Sequence, residues 1–296
     1  MIHELETLFD RLPWLQPEGT PERLAGLTNL NYRCGGFVVR VPGAGTGEYI
    51  NRADEAVAAR VAAAAGVNVE TLYFDAEGVM VTRYVDGAVT MTPERFRSDL
   101  DAVARAGRTL RRLHTAAAPF RSEFRAFDVI DEYRALAARK SAPIFDGYDE
   151  VRATAELGRA ALLTRPVLTA PCHCDPLCEN LLDTGEVMYL IDYEYAGNND
   201  PMWDLGDFSV EAGLAAEGDA VLLEAYFEGS PPAADVARMV IHKANCDLFW
   251  ALWAVIQHVN GNPADDFWAY GLNRFERGRK LMESHEFEHA IAVLGG

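Results

Sequence analysis

Two periodicities divide the chain. Up to about residue 85, apolar residues come in short β-branched runs bounded by turn residues; beyond residue 93 they recur every three or four positions. Phe37-Val38-Val39-Arg40-Val41 lies between Gly35-Gly36 and Pro42-Gly43 and predicts a strand. Residues 69–74 and 79–85 predict two more, joined by the turn Asp75-Ala76-Glu77-Gly78. Between them, 54–65 is rich in alanine and free of Gly and Pro, which predicts a helix stopped by Gly66. Further on, Leu100, Val103, Ala104, Leu110, Leu113 and His114 follow one helical stripe. The same spacing predicts helices over 127–139, 149–163, 220–228, 233–258 and 264–284. The expected class is α+β with two lobes: a small strand-rich lobe with one helix over 1–85, and a large, mainly helical lobe over 86–296.

Composition narrows the partners. A chain of 296 residues with 49% hydrophobic and 24% charged positions has room for a large core in two lobes. No apolar run approaches the length of a membrane helix, so no membrane insertion is expected. Met1-Ile2-His3-Glu4 lacks the basic and apolar regions of a signal peptide, and a cytoplasmic location is expected. A net charge of −18 argues against nucleic acid, whose phosphates need clustered Lys and Arg, and favours a cationic small molecule. The five cysteines are odd in number, which speaks against a disulfide scaffold. Cys172, His173, Cys174 and Cys178 crowd together without the second knuckle of a structural zinc site.

The densest chemistry lies in His173-Cys174-Asp175-Pro176-Leu177-Cys178-Glu179-Asn180, followed by the apolar run Tyr189-Leu190-Ile191 ending in Asp192. The pattern H-x-D-x-x-x-x-N, a turn, then a strand ending in Asp is that of the catalytic loop and metal-binding Asp of kinase-type phosphotransferases. One carboxylate, Asp175, would take the proton of a substrate hydroxyl. The Asn180 amide oxygen and the Asp192 carboxylate would hold Mg2+ against ATP phosphates, since hard cations prefer oxygen ligands.

Other segments carry a wider resemblance. Residues 26–32, 35–43, 79–87, Asp192-Tyr193-Glu194-Tyr195-Ala196-Gly197, Asp200-Pro201-Met202-Trp203-Asp204-Leu205 and Phe249-Trp250-Ala251-Leu252-Trp253 resemble the choline/ethanolamine kinase family, within the aminoglycoside-phosphotransferase-like, protein-kinase-like fold. The resemblance spans nearly the whole chain. It implies that Thr28, Asn29 and Asn31 lie in the loop over the ATP phosphates, and that Arg40 stands where protein kinases have their phosphate-binding lysine. Glu55 would pair with Arg40. Thr82, Arg83, Tyr84 and Val85 would offer backbone groups to adenine. His173 would brace the catalytic loop. Glu194, Tyr195, Glu211, Trp250 and Trp253 would join Asp175 around the acceptor, the Trp pair sharing one helix face and attracting a quaternary ammonium. One departure stands out: the family often has Asn where this chain has Cys174. The expected activity is ATP- and Mg2+-dependent phosphorylation of a small cationic amino alcohol, choline first. The alternatives are ethanolamine, an aminoglycoside, or a catalytically weak nucleotide- or choline-binding pseudokinase. The sequence leaves oligomeric state open.

Overall fold

The apolar runs of the first lobe pair into one antiparallel sheet. The computed structural model describes residues 3–15, 19–24, 26, 29–43 and 50–296. The sheet consists of β1 (Glu22–Arg23), β2 (Leu30–Cys34), β3 (Phe37–Val41), β4 (Thr71–Phe74) and β5 (Met80–Arg83), in the order β1-β2-β3-β5-β4. Neighbouring side chains on a strand face opposite ways. Val39 and Val81 turn onto a buried cluster with Leu5, Leu8 and Phe9 of α1 (His3–Arg11), a helix the sequence reading did not foresee. Arg40 therefore faces the other side, towards the second lobe.

The helix α2 (Arg52–Ala64) is capped by Asn51, whose side chain accepts from Ala53 N and Asp54 N. Its small residues Ala58, Ala59 and Ala62 are buried in one cluster with Phe96, Leu110 and Leu113 of the large lobe. The helix that carries Glu55 thus shares a buried core with the large lobe.

After β6 (Val89–Thr90), the large lobe runs through α3 (Pro93–Ser98), α4 (Leu100–Ala116), α5 (Ala126–Arg139) and α6 (Tyr148–Thr164). Two hairpin elements follow. β7 (Ala170–Cys172) pairs with β10 (Gly197–Asn199), and β8 (Leu181–Asp183) pairs with β6 and with β9 (Met188–Leu190). The segments 173–180 and 191–196 thus emerge side by side, stitched by the bond from Ile191 N to Asn180 O at 2.9 Å. The lobe closes with α7 (Pro201–Ala212), α8 (Ala216–Phe227), α9 (Ala233–Val259), α10 (Phe267–Met282) and α11 (His285–Gly295). The expected single helix over 264–284 ends at Met282, because Ser284 caps a further helix by accepting from Phe287 N.

By length and composition α9 is apolar enough to cross a membrane, contrary to the sequence expectation, but 94% of that stretch is buried inside the protein. It is the central core helix, with Phe249, Leu252 and Ile256 fully covered. Each such side chain contributes roughly 1.5–3 kcal/mol by leaving water. Gly206 lets α7 touch it: a Cβ there would lie 2.9 Å from Lys243 N and 3.1 Å from Met239 O. Asp200 fixes the same junction, capping α7 at Met202 N and pairing with Arg238 (2.7 Å) and His242 (2.9 Å) of α9. Despite its burial, His242 and Arg238 hold this carboxyl well below the usual carboxylate range.

Candidate active site

The 173–180 loop is held by its backbone. Asp204, fully buried on α7, accepts from His173 N at 2.7 Å, Cys174 N at 2.8 Å and the His114 ring at 3.0 Å. Trp203 Nε1 donates to Cys174 O at 3.2 Å. The His173 ring bonds Ile191 O at 2.8 Å and meets Tyr193 edge-on, which braces one segment against the other. Cys174 adopts φ 67° and Asp192 φ 69°. Left-handed backbone at a non-glycine residue stores on the order of 1–3 kcal/mol and concentrates at functional sites. Asn tolerates this conformation better than Cys. Cys174 is tied in through its N–H and C=O and through its thiol, which donates to Cys172 O at 3.7 Å and Gly197 O at 3.9 Å and accepts from Asn199 Nδ2 at 3.9 Å. All five cysteines are free and buried, and burial pushes the Cys172 and Cys174 thiols up. Asp204→Ala would orphan two buried amides and His114 Nε2, leaving His114 only its Tyr226 bond. It should destabilise the protein by about 3–5 kcal/mol, the scale of breaking a buried ionic network, read as a lowered midpoint in urea unfolding.

Asp175 lies nearly buried beside this loop, and among the described residues its Oδ1 has no hydrogen-bond partner. Burial, then the neighbouring Asp207 and Glu211, push its carboxyl well above the ordinary range. Asn180 donates through Nδ2 to Asp175 O at 3.1 Å, which turns the amide oxygen the other way.

Arg40 forms the opposite wall. It pairs with Glu55, with Asp192 Oδ1 at 2.8 Å, and with Gly78 O at 3.3 Å. Burial works against its charge, but Asp192, Glu55 and Glu194 more than offset that and hold its pKa above the ordinary value. Glu194, expected beside the acceptor, turns its carboxylate to Arg52 and Asn29. Its Oε2 meets Arg52 Nη1 at 3.2 Å and Asn29 Nδ2 at 3.3 Å. Burial, then Asp192, push its carboxyl up to about 7. Carboxylate oxygens of Glu55, Asp192 and Glu194 lie within 4.8 Å of one another, a donor set that suits a hard divalent cation. Asn31 stands opposite Arg40 in the β2–β3 register. Thr28 lies outside the described residues. In the hinge, Thr82 pairs within the sheet, Arg83 N donates to Glu70 O and Tyr84 N to Gly36 O. The Arg83 and Tyr84 amides are thus spent inside the small lobe.

The aromatic residues expected at the acceptor, Tyr195, Trp250 and Trp253, gather into one ring cluster. Trp250 and Trp253 lie edge to face at 5.8 Å; Tyr195 meets Trp250 at 5.2 Å and Tyr270 meets Trp253 at 6.3 Å. Trp250 Nε1 donates to both oxygens of Asp207 (3.1 and 3.2 Å), while Trp253 Nε1 is buried without a partner among the described residues. Glu211 does not stand as a lone negative charge. Arg274, wholly buried, pairs with it and with Asp247 at 3.0 Å, and lies 3.7 Å from Asp207. Arg52, Asp207, Tyr270 and Arg274 escaped the sequence reading. Arg52 had a local signal, its i,i+3 spacing from Glu55. Tyr270 and Arg274 sit on a separate helix, and no spacing links them to Glu211.

The comparisons agree with this geometry. Residues 20–240 match the model of the phosphotransferase enzyme family. The LicA protein of Haemophilus influenzae is 31% identical over 271 residues, covering 88% of this chain and 79% of its own length. The choline kinase LicA from Streptococcus pneumoniae superposes with a TM-score of 0.80 at 29% identity, over 95% of this chain and 99% of its own. A choline/ethanolamine kinase family protein from Mesorhizobium loti reaches a TM-score of 0.91 at 48% identity over 98% of both chains. With the two-lobed fold and the loop-and-hairpin site already in place, these likenesses establish that the chain belongs to the phosphotransferase enzyme family, in its choline/ethanolamine kinase branch.

Proposed function

We propose that the protein transfers the γ-phosphoryl group of ATP to the hydroxyl of a small cationic amino alcohol, with choline the preferred acceptor. The observation that carries this reading is the buried, unpartnered Oδ1 of Asp175, whose carboxyl lies close enough to feel the charge of Asp192 and Glu194 on one side and to act on Tyr270 of the ring cluster on the other. Residues 1–85 bind the nucleotide and residues 86–296 carry the catalytic loop and acceptor pocket, with α2 packed across that division. Arg40 and the 26–32 loop hold the phosphates, and Val85 marks the adenine end. Asp192 and Asn180, joined through the Ile191–Asn180 bond, hold Mg2+. Bound there, the ion neutralises phosphate charge. Asp175 orients the acceptor hydroxyl and takes its proton, helped by a pKa raised through burial. The rest of the catalysis is positioning and charge stabilisation. A cytoplasmic setting, which supplies ATP, suits this role.

The ring cluster favours a trimethylammonium, because aromatic faces attract cations that cannot donate hydrogen bonds. An ADP-release assay with choline, ethanolamine and kanamycin tests the choice; choline should give the highest kcat/KM, and ethanolamine ahead of choline would overturn the ranking. Trp253→Leu is a cleaner probe than Trp250→Leu, since Trp250 also holds buried Asp207. Loss of one cation–π contact of about 0.5–2 kcal/mol should raise the choline KM roughly 2- to 30-fold, with a smaller rise for ethanolamine. Equal changes for both would return Trp253 to the core.

A further inference from the structure

Arg52, at the start of α2, joins acidic residues from two distant parts of the chain. Its Nη1 lies 2.6 Å from Glu55 Oε2 and 3.2 Å from Glu194 Oε2. The other Glu55 oxygen meets Arg40, and Arg40 in turn meets Asp192. Two arginines therefore link one helix glutamate to the two carboxylates of Asp192-Tyr193-Glu194. Gly78 fixes both of them. Its carbonyl accepts from Arg40 at 3.3 Å, and its α-carbon packs on the Arg52 stem, where a Cβ would come within 2.7 Å of Cδ. The Arg52 side chain is only 10% exposed, so it runs in a fixed slot and is not a surface charge.

Three carboxylates with oxygens inside 4.8 Å repel one another unless charge is brought between them. Arg40 does this for Asp192. We propose that Arg52 does it for Glu194, as a positioning residue of phosphoryl transfer. It holds the Glu194 carboxylate beside Asp192 on the phosphate face, and so sets how tightly that face takes a divalent cation with its nucleotide. The inference rests on the site binding a metal–nucleotide complex, as the functional reading requires. Asn29 assists from the opposite side, accepting from Gly43 N at 3.4 Å while donating to Glu194. This gives the loop over the phosphates a tether to the same carboxylate.

The test measures metal binding without turnover. Mn2+ affinity is read by electron paramagnetic resonance on ADP-loaded protein, and ADP affinity is read without metal. Arg52→Gln should weaken Mn2+ binding about 10-fold or more, the scale of losing a group that orients a metal ligand, while metal-free ADP affinity stays within about 3-fold. The double variant with Glu194→Gln should bind Mn2+ no worse than Glu194→Gln alone, because both changes cut the same link. Unchanged Mn2+ affinity in Arg52→Gln, or additive losses in the double variant, would overturn the proposal. Arg52→Lys keeps the charge and loses the fork. It serves if the Gln variant does not fold: intermediate Mn2+ affinity is expected, and wild-type affinity would count against the role. Because no acceptor is present, failure of choline and ethanolamine turnover in the wild type would sink the functional reading and leave this coupling standing.

Discussion

Asp175→Asn should lower turnover by about 100-fold or more while ADP affinity stays near wild type. The replacement keeps the shape of the side chain and removes its ability to take a proton. The nucleotide side of the cleft is untouched, since Arg40, Glu55 and Asp192 contact one another and not Asp175. Stability should hold or rise, and the sign follows from the raised pKa. Burial, with Asp207 and Glu211 nearby, makes Asp175 harder to ionise in the folded chain than in the unfolded one. Stability is then lost as pH climbs from the unfolded carboxylate pKa towards the folded one. An amide at 175 removes that loss, so the melting temperature near pH 7.5 should match or exceed wild type. Steady-state turnover, ADP binding and thermal melting decide it together. Near-normal turnover would take Asp175 out of proton transfer; lost turnover with a collapsed melting temperature would make it a structural residue.

The readable part of this site was the part written locally. His173, Asp175 and Asn180 sit within eight residues, and Asp192 lies two residues past β9 of the β8–β9 hairpin that follows, so their order already encodes the hairpin geometry. Arg40 was readable through the family resemblance, and alternation along Phe37–Val41 accounts for its facing away from the buried Val39. Glu194 was read as an acceptor-side residue, and its carboxylate meets Arg52 and Asn29. Asp192 and Glu194, two positions apart, both reach the arginines while Tyr195 turns to Trp250, as alternation alone would place them. The Arg52–Glu194 pair spans 142 positions, and the Glu211–Arg274 pair 63; contacts of that separation are products of the tertiary fold.

The missed helices divide the same way. Leu5, Leu8 and Phe9 keep helical spacing in α1, and Asp200-Pro201 announces α7 with a cap and a first-turn proline. Those signals were present and outweighed by nearby motifs. That α2 shares a core with the large lobe was not legible, because an alanine-rich face names no partner.

Asp192→Ala should abolish metal-dependent turnover, by about 1000-fold or more, because several kcal/mol of charge stabilisation depend on the cation. Mn2+ binding to the ADP-loaded protein should fall with it. Alanine at this position brings two further changes that must be separated from the loss of a ligand. Arg40 is 3% exposed and would keep only Glu55 of its two ion-pair partners. The backbone at φ 69° would also hold a residue less suited to left-handed geometry. Asp192→Asn removes both objections. It tolerates the conformation, retains an oxygen of the same reach for Arg40, and deletes only the charge. If Asp192 is the cation's ligand, the Asn variant should fold and melt like wild type yet still bind Mn2+ at least 10-fold more weakly, with turnover falling in step. Wild-type Mn2+ affinity in the Asn variant would move the metal elsewhere, and the remaining carboxylates within 4.8 Å, Glu55 and Glu194, would become the pair to replace next. A loss confined to the Ala variant would instead assign Asp192 to holding Arg40 in place.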